Sequence, residues 1–301
     1  MAGTVPAFEA HFGEIVVIER VTAHELIRKA RELAKQTRCE ISGAGLQQHD
    51  FEGIAQKFGL TLCWELLPEN NPGCYLKAEK KIVLNTHVHL WERLNFTFDH
   101  ELMHDRIEDN DDLLSLLADA YIQSEETVIE RLCNAGAAEL LMPSDDVQVM
   151  VREHGFSAGT IPILCNRYNA SSIAVAFQMI FTATHHCYLV ITEPDYIAPL
   201  NDLPMLPGYL PAEAQCRLVM IYTAASPSAK YSIRRGQMMS VDHPIYAVWD
   251  QQGKVVNCRA KLPFASGKGW DVDFDALYFR GKVFAFFNVS HPVGKEQMQL
   301  L

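Results

Sequence analysis

Several segments of the chain repeat apolar residues every three or four positions, which is the spacing of an amphipathic helix. In residues 22–38, Leu26, Ala30 and Leu33 share one face, and Thr22 is suited to cap the first turn. Further helices are predicted in the stretches 51–58, 90–106 and 125–141, and from Ser144 onward. The first half of the chain is therefore predicted to be mainly helical.

Strand patterns occur in two parts of the chain. LTLCWEL and KKIVLN, residues 60–66 and 80–85, lie on either side of the turn-forming stretch PENNPG. Beyond residue 184, the short apolar runs CYLVITEP, CRLVMIYTA, HPIYAVW and VFAFFNV are separated by Pro, Gly and Asn turns, which predicts a β-rich region. Between these parts, residues 160–181 predict two helices with a break at 168–170.

The order of these elements predicts an α+β protein in three parts. Residues 1–150 combine helices with a few strands, residues 151–183 are helical, and residues 184–301 are rich in strands. Single cores tend to divide beyond about 250–300 residues, so more than one compact unit is expected.

Composition and charge narrow the class of protein. A net charge of -11 argues against a nucleic-acid-binding protein, because that function needs a basic surface to neutralise phosphates. No stretch has the ~18 consecutive apolar residues of a membrane span, and the amino terminus lacks the order of a secretory signal. The eight cysteines are scattered without a CxxC pair. We expect a cytoplasmic protein with reduced thiols and no membrane segment.

The stretch FTFDHELMH, residues 96–104, holds two histidines four positions apart in a predicted helix. Each helical residue turns by about 100 degrees, so His100 and His104 project from one face and can reach the same ion. Glu101 lies beside that face, where a carboxylate can exchange a proton with water without binding the metal. This pattern predicts a hydrolytic metal centre.

A near copy of this motif, HELIR, begins at His24. Its last residue, Arg28, occupies the position of the second histidine, and the surrounding helix is rich in Lys and Arg. We therefore predict a surface helix at this position and not a second metal site.

A catalytic zinc site with two histidines needs a third protein ligand. Glu130 is a candidate, because the small residues at 135–138 on the same predicted helix allow another helix to approach closely. Asn134, one turn after Glu130, is a candidate to orient a ligand. Spacing alone also allows Glu125 or Glu126 to compete for this role, or Glu130 to be a solvated charge.

These motifs together resemble a known family. FTFDHELMH followed by ExxCNAGAAELLMP is similar to the ImmA/IrrE family of HExxH metallopeptidases, whose pattern runs FTxAHExxH and then ExxAN with small residues and LLMP. DFEGIAQKFGLTL and KKIVLN resemble the helix and strand that lead into the family's site. The likeness spans about residues 22–183, and the β-rich region after it favours the IrrE (PprI) branch, the radiation-response regulators of Deinococcus.

The resemblance implies a fold for each part of the chain. Residues 1–150 would form a zincin-like metallopeptidase domain, residues 151–183 a helix-turn-helix-like region, and residues 184–301 a GAF-like sensor domain. A GAF-like domain is expected to receive a small-molecule signal. We expect a monomer.

The resemblance also implies roles for the motif residues. His100, His104 and Glu130 would bind the metal, and Glu101 would be the catalytic acid and base. This ligand set suits Zn²⁺ and also accepts Mn²⁺. The sequence departs from the family pattern at Asp99, which replaces a small or apolar residue.

Other supporting residues are less closely defined by the sequence. Asp99 is expected either to hydrogen-bond a ligand histidine or to face solvent, and Cys133 replaces an alanine of the family pattern. Ile82 and Leu84 lie on a predicted strand, which either pairs with an extended substrate or is an ordinary sheet strand. Spacing does not choose an oxyanion-stabilising residue among candidates such as Tyr121, His87 and His89.

The charge around the motif bears on the substrate. From residue 99 to residue 130 the chain has eleven acidic residues and one basic residue, Arg106. A solvated loop accounts for part of this charge, and the remainder would attract a cationic segment. The resemblance implies a basic substrate, a helix-turn-helix repressor similar to DdrO, which is cut in the response to radiation, desiccation and DNA damage.

Two alternatives stay open, and the first belongs to a different class. One is a DNA-binding or protein-binding regulator with a structural metal, in which Glu101 is dispensable. The other is a phage-type ImmA anti-repressor protease or a general peptidase. The second helix of the 160–181 pair, SSIAVAFQMI, has no Lys or Arg with which to contact base edges, which argues against direct DNA binding.

Overall fold

The computed structural model describes residues 8–119, 125–197, 215–264 and 269–289. The chain divides into two compact units. One comprises Met1–Pro143 with Tyr168–Ala170, and the other comprises Ser144–Arg167 with Ser171–Leu301. Most of the helical region after residue 143 groups with the C-terminal strands, and the three-domain boundaries stay a prediction.

The described part of the first unit contains five α-helices. They are α1 (Phe8–Gly43), α2 (Phe51–Lys57), α3 (Trp91–Glu108), α4 (Asp111–Asp119) and α5 (Glu125–Leu141). α1 is longer than the predicted 22–38, and Leu26, Ala30 and Leu33 are buried along one face as the pattern predicts. Asn110 caps α4, because its side-chain oxygen accepts a hydrogen bond from the Leu113 N–H at 2.8 Å.

A three-stranded sheet packs with these helices. It consists of β1 (Thr61–Glu65), β2 (Gly73–Leu76) and β3 (Lys81–Asn85), in the order β1-β3-β2. β3 pairs with β1 in parallel and with β2 antiparallel, and its Ile82 and Leu84 side chains join the helical core. The expectation that Ile82 and Leu84 lie on a substrate-binding strand is wrong, because both edges of β3 are already paired.

Close packing of α3 against α5 depends on a glycine. A Cβ atom added to Gly136 would lie 2.5 Å from Met103 Cε and 2.9 Å from Met103 Cγ. Met103 is fully buried, so little space exists for it to move. The close approach that the small residues at 135–138 predict is therefore present.

The second unit contains helices and a five-stranded antiparallel sheet. Its helices are α6 (Ser144–His154), α7 (Ile161–Tyr168), α8 (Ser172–Thr182) and α9 (Ile245–Asp250). Its strands are β4 (Cys187–Ile197), β5 (Gln215–Ala225), β6 (Lys254–Lys261), β7 (Asp271–Phe279) and β8 (Lys282–Asn288), in the order β5-β4-β8-β7-β6. The predicted helix pair and β-rich region are present, while their helix-turn-helix-like and GAF-like character stays a prediction.

The run HPIYAVW is a helix and not the predicted strand. Pro244 occupies the N-cap position of α9, and Nδ1 of His243 accepts a hydrogen bond from the Ile245 N–H at 3.2 Å. Ile245 and Val248, three positions apart, are both buried. The apolar residues of this short run suit either element, so their pattern alone does not distinguish a strand from a helix.

Two sequence expectations concern the whole chain. All eight cysteines are free thiols, as their scattered spacing predicts. Among the described helices, none is both long and apolar enough to cross a membrane.

Candidate metal centre

Two imidazoles of α3 meet at one point. His100 and His104 are separated by one helical turn, and their Nε2 atoms lie 3.2 Å apart. Both side chains are largely buried, at 14% and 18% exposure. The prediction that the HELMH spacing brings both rings to one face is confirmed.

Glu130 reaches the same point from α5. Its Oε2 atom lies 3.2 Å from His100 Nε2, and its Oε1 atom lies 3.3 Å from His104 Nε2. The Glu130 side chain is half exposed, so the cluster is accessible from solvent. The side chains of the competing Glu125 and Glu126 lie outside the described residues.

These donors fit a divalent metal. Zn–N distances of about 2.0–2.1 Å place neighbouring ligands of a tetrahedral site roughly 3.3 Å apart, which matches the three separations. Burial and the neighbouring His104 lower the pKa of His100, which favours the neutral imidazole that a metal requires. His100, His104 and Glu130 can therefore hold Zn²⁺ or a similar ion.

Glu101 is buried beside the histidines. Ligand-type atoms of His100, Glu101 and His104 all lie within 4.8 Å of one another. Burial, followed by the charge of Glu130, raises the pKa of Glu101 to about 7, while a hydrogen bond from the Tyr75 backbone N–H opposes the increase. A carboxyl group with this pKa can accept and release a proton near neutral pH.

The two predicted supporting residues have different surroundings. The side chain of Asn134 hydrogen-bonds His100, which is consistent with a ligand-orienting role. Asp99 is buried rather than solvent-facing, and its carboxyl group hydrogen-bonds Gln48 and lies near Arg38. Burial raises the pKa of Asp99 well above its ordinary value. These contacts connect α3 to Gln48, whose side chain also donates to the Leu140 carbonyl oxygen at 2.6 Å.

Comparisons with known proteins show what parts of the chain are similar to. Residues 53–182 match the Peptidase_M78 family, described as the IrrE N-terminal-like domain. The chain carries an IrrE-like domain of this family. It is 28% identical over 257 residues to the radiation response metalloprotease IrrE of Deinococcus deserti, a match that covers 85% of this chain and 86% of that protein. The resemblance to the IrrE branch is confirmed.

Two further similarities cover different shares of the chain. The radiation response metalloprotease IrrE of Deinococcus radiodurans is 28% identical over 208 residues, which cover 65% of this chain and 59% of that protein. A solved structure of a Mycobacterium tuberculosis transcriptional regulator matches with a TM-score of 0.56 and 13% identity, over 93% of this chain and 82% of that one. At this identity the structural match supports the fold alone.

The IrrE-like domain contains contacts near the centre that spacing does not reveal. The Tyr75 hydroxyl donates to Asp105 Oδ1 at 2.9 Å, and Lys80 Nζ donates to the same oxygen at 2.7 Å. Asp105 follows His104 directly and lies four positions after Glu101. The sequence therefore places Asp105 beside the motif. It does not show the contacts with Tyr75 and Lys80, which are 30 and 25 residues away along the chain.

Part of the acidic surroundings of the candidate metal centre is neutralised within the protein. Lys80 pairs with Asp105 and Asp109, and Lys77 lies 3.3 Å from Glu108. Asp111 and Asp112 are exposed in the first turn of α4, where negative charge also favours the helix dipole. The negative rim is therefore smaller than the count of eleven acidic residues suggests.

The oxyanion candidates do not gather at this centre. His87 and His89 are exposed in the connection between β3 and α3. His100 lies ten residues after the N-cap Leu90, or about 15 Å along the helix, which separates it from that connection. Tyr121 lies outside the described residues.

Proposed function

We propose that this protein is a metal-dependent endopeptidase that cuts a specific protein substrate. The observation that carries the proposal is the convergence of His100, His104 and Glu130 at separations of 3.2–3.3 Å, with the buried Glu101 carboxyl group beside them. This arrangement provides three metal ligands and a separate group for proton transfer.

Each residue of the centre then has a chemical role. His100, His104 and Glu130 hold Zn²⁺ or Mn²⁺, and Asn134 orients His100. When bound, such a metal supplies Lewis acidity toward water and toward a carbonyl oxygen. Glu101 accepts a proton from the attacking water and passes it to the leaving amine, so that one peptide bond and one water give a carboxylic acid and an amine.

Among the described residues, β2 has a strand partner on one edge only, and its other, free edge is suited to bind the substrate chain. β2 pairs with β3 along one edge, and the Tyr75 backbone N–H lies close enough to Glu101 to lower the pKa of its carboxyl group. An extended peptide that pairs with the free edge would pass beside the proton-transfer group. This role replaces the one expected for Ile82 and Leu84.

The proposed substrate is a basic helix-turn-helix repressor of the DdrO type. The matched Deinococcus proteins are named radiation response metalloproteases, which supports a role in a response to DNA damage. Asp111 and Asp112, which are exposed in the first turn of α4, favour a cationic partner. The five-stranded unit is proposed as a GAF-like sensor of a small-molecule signal.

A substrate panel tests this proposal. The purified chain is incubated with Zn²⁺ or Mn²⁺ and with either the helix-turn-helix repressor of the same genome or reduced, unfolded lysozyme, which is basic but unstructured. Intact mass should show a single cut in the repressor and none in lysozyme. Cutting of both proteins would indicate a general peptidase.

The regulator alternative makes a different prediction for the same samples. A DNA-binding protein with a structural metal would cut neither protein under any metal and would bind operator DNA with a steep dependence on salt concentration. An ImmA-type protease would cut a phage repressor in preference to the damage-response repressor.

A further inference from the structure

Tyr75 contacts two carboxyl groups that are one helical turn apart on α3. Its hydroxyl donates to Asp105 Oδ1 at 2.9 Å, and its backbone N–H lies close enough to the Glu101 carboxyl group to lower the pKa of that group. Residues four positions apart on a helix are separated by about 6 Å along its axis, which is close to the reach of a tyrosine from backbone nitrogen to hydroxyl. One residue of β2 therefore spans a full turn of the helix that carries the motif.

β2 lies along α3 at more than one residue. A Cβ atom added to Gly73 would lie 2.6 Å from Thr97 Cγ2, so β2 also closely approaches the turn before Glu101. Gly73 and Tyr75 are alternate residues of an extended strand, about 6.6 Å apart, and Thr97, Glu101 and Asp105 repeat every four positions. The two spacings match, which lets β2 run along one stripe of α3.

The far end of the tyrosine is held firmly. Asp105 is completely buried, and its Oδ1 atom accepts from both Tyr75 and Lys80. Lys80 Nζ also lies 3.0 Å from Asp109 Oδ1. A buried carboxylate with a cationic partner is a strong hydrogen-bond acceptor, so the phenol ring has a fixed anchor.

We propose that Tyr75 is a positioning residue that fixes the Glu101 carboxyl group relative to the free edge of β2, with Asp105 and Lys80 as its anchor. The phenol holds the strand against α3, and the strand places its N–H on Glu101. The inference rests on the proposed function, because it concerns the group that transfers the proton. The anchor should therefore affect the rate of the chemical step and not the affinity for the metal.

The test uses Tyr75→Phe in the full chain, which removes only the hydroxyl. Tyr222→Phe, in the second unit, is the matched control. Backbone amide hydrogen exchange at position 75 should accelerate by about tenfold, because the amide loses a held acceptor. With the repressor as substrate, kcat should fall by about tenfold or more while KM and zinc affinity stay within about twofold.

A second variant keeps the proposal falsifiable if the first one folds poorly. Asp105→Asn removes the charge but retains an oxygen that can accept from the phenol, so amide exchange at position 75 should stay closer to the parent than in Tyr75→Phe. Unchanged exchange and unchanged kcat in Tyr75→Phe would overturn the proposal. A joint loss of zinc affinity and thermal stability with an unchanged kcat would also overturn it, since that pattern marks a purely structural role.

Failure of the proposed function is distinguishable from failure of this inference. If the parent protein cuts no substrate with any metal, the proposed function fails, and the exchange measurement still decides whether the Tyr75 hydroxyl holds β2 against α3. Faster exchange at position 75 in Tyr75→Phe, with unchanged exchange at Ala285 in β8, would support this positioning role, and equal rates in parent and variant would overturn it.

Discussion

Nε2 of His100 lies 3.2 Å from Nε2 of His104, one turn further along α3. Glu130 places one oxygen 3.2–3.3 Å from each of these nitrogens. Three donors held this closely around one point are better satisfied by a cation than by one another, because each can direct a lone pair to it. Metal binding and stability of the first unit should therefore be linked.

Zinc should stabilise the parent protein and not the ligand variants. At a free concentration near 1,000 times the Kd, binding to the folded state alone adds about 4 kcal/mol to the free energy of unfolding. We expect this increase to be lost in His104→Ala and in Glu130→Gln. Differential scanning calorimetry with and without zinc measures it.

His24→Ala is the control for the zinc experiment, because His24 begins the HELIR copy on α1. It should retain the full zinc effect. Loss of the effect in His24→Ala, or its persistence in Glu130→Gln, would contradict the ligand assignment.

Gly136→Ala should lower the zinc affinity of the centre, although Gly136 is not one of the proposed ligands. The new methyl group would lie 2.5–2.9 Å from three atoms of Met103, which forces α5 away from α3 and moves Glu130. We expect a loss of about 1–3 kcal/mol in stability together with lower zinc affinity. Urea denaturation and competition with a chelator measure the two effects.

Gly159→Ala makes the same substitution where space exists, since the nearest atom to its Cβ is Ser157 Oγ at 3.5 Å. It should change neither quantity appreciably. Equal behaviour of the two alanine variants would show that the contact with Met103 does not set the spacing of the helices.

A buried ion pair connects α1 to the helix that bears Glu130. Glu139 is 1% exposed and lies 3.6 Å from Arg31, whose side chain is 17% exposed. Glu139→Ala leaves the arginine partly buried without this partner, and we expect a loss of about 3 kcal/mol in the free energy of unfolding. The exposed pair Arg167–Asp146 provides the comparison, because Asp146→Ala should cost less than about 1 kcal/mol. Equal losses of unfolding free energy in the two variants would show that burial does not make the Glu139 ion pair more important than the exposed one.

His243 should make the second unit less stable in acid. Burial lowers its pKa to about 4, below the ordinary value of 6.5, and a hydrogen bond to the Lys261 carbonyl oxygen only partly opposes this. Between pH 6.5 and 4 the unfolded chain binds a proton that the folded unit resists, so stability falls as the pH falls, by up to about 3 kcal/mol. Protonation would also remove the Nδ1 acceptor of the Ile245 N–H.

His243→Asn should flatten this part of the pH profile. The comparison is made on urea midpoints followed by tryptophan fluorescence. Asp275, whose pKa is raised by burial, contributes with the opposite sign, so the difference between parent and variant isolates the histidine. Parallel profiles of the two proteins would contradict the prediction.

Sequence periodicity predicted the elements that carry the centre better than the contacts within it. The helix at 125–141 matches α5, and the HELMH spacing places both histidines together, because helical geometry is local. β2 has four residues and begins with a glycine, so it has no clear strand pattern. HPIYAVW was assigned wrongly, because the hydrogen bond from the Ile245 N–H to His243 is not encoded in apolar alternation.

Long-range contacts explain the remaining differences. The central position of β3 depends on pairing with β2, which the sequence does not reveal, so β3 was taken for a strand with an edge open to a substrate. Tyr75 and Asp105 are 30 residues apart and meet only because β2 lies along α3. The sequence suggested that Asp99 either contacts a ligand histidine or faces solvent. Its actual neighbours, Gln48 and Arg38, lie before β1 and far from Asp99 along the chain.

The most direct test of the central claim is single-turnover cleavage of the repressor in ¹⁸O-labelled water, followed by intact mass, for the zinc-loaded parent, Glu101→Gln and the exposed control Glu69→Gln. We predict one cut, with ¹⁸O in the new carboxyl group, for the parent and for Glu69→Gln. Glu101→Gln should bind zinc normally and cut about 10²–10⁴-fold more slowly. Equal cleavage rates for the parent and Glu101→Gln, or no incorporation of ¹⁸O, would contradict the account.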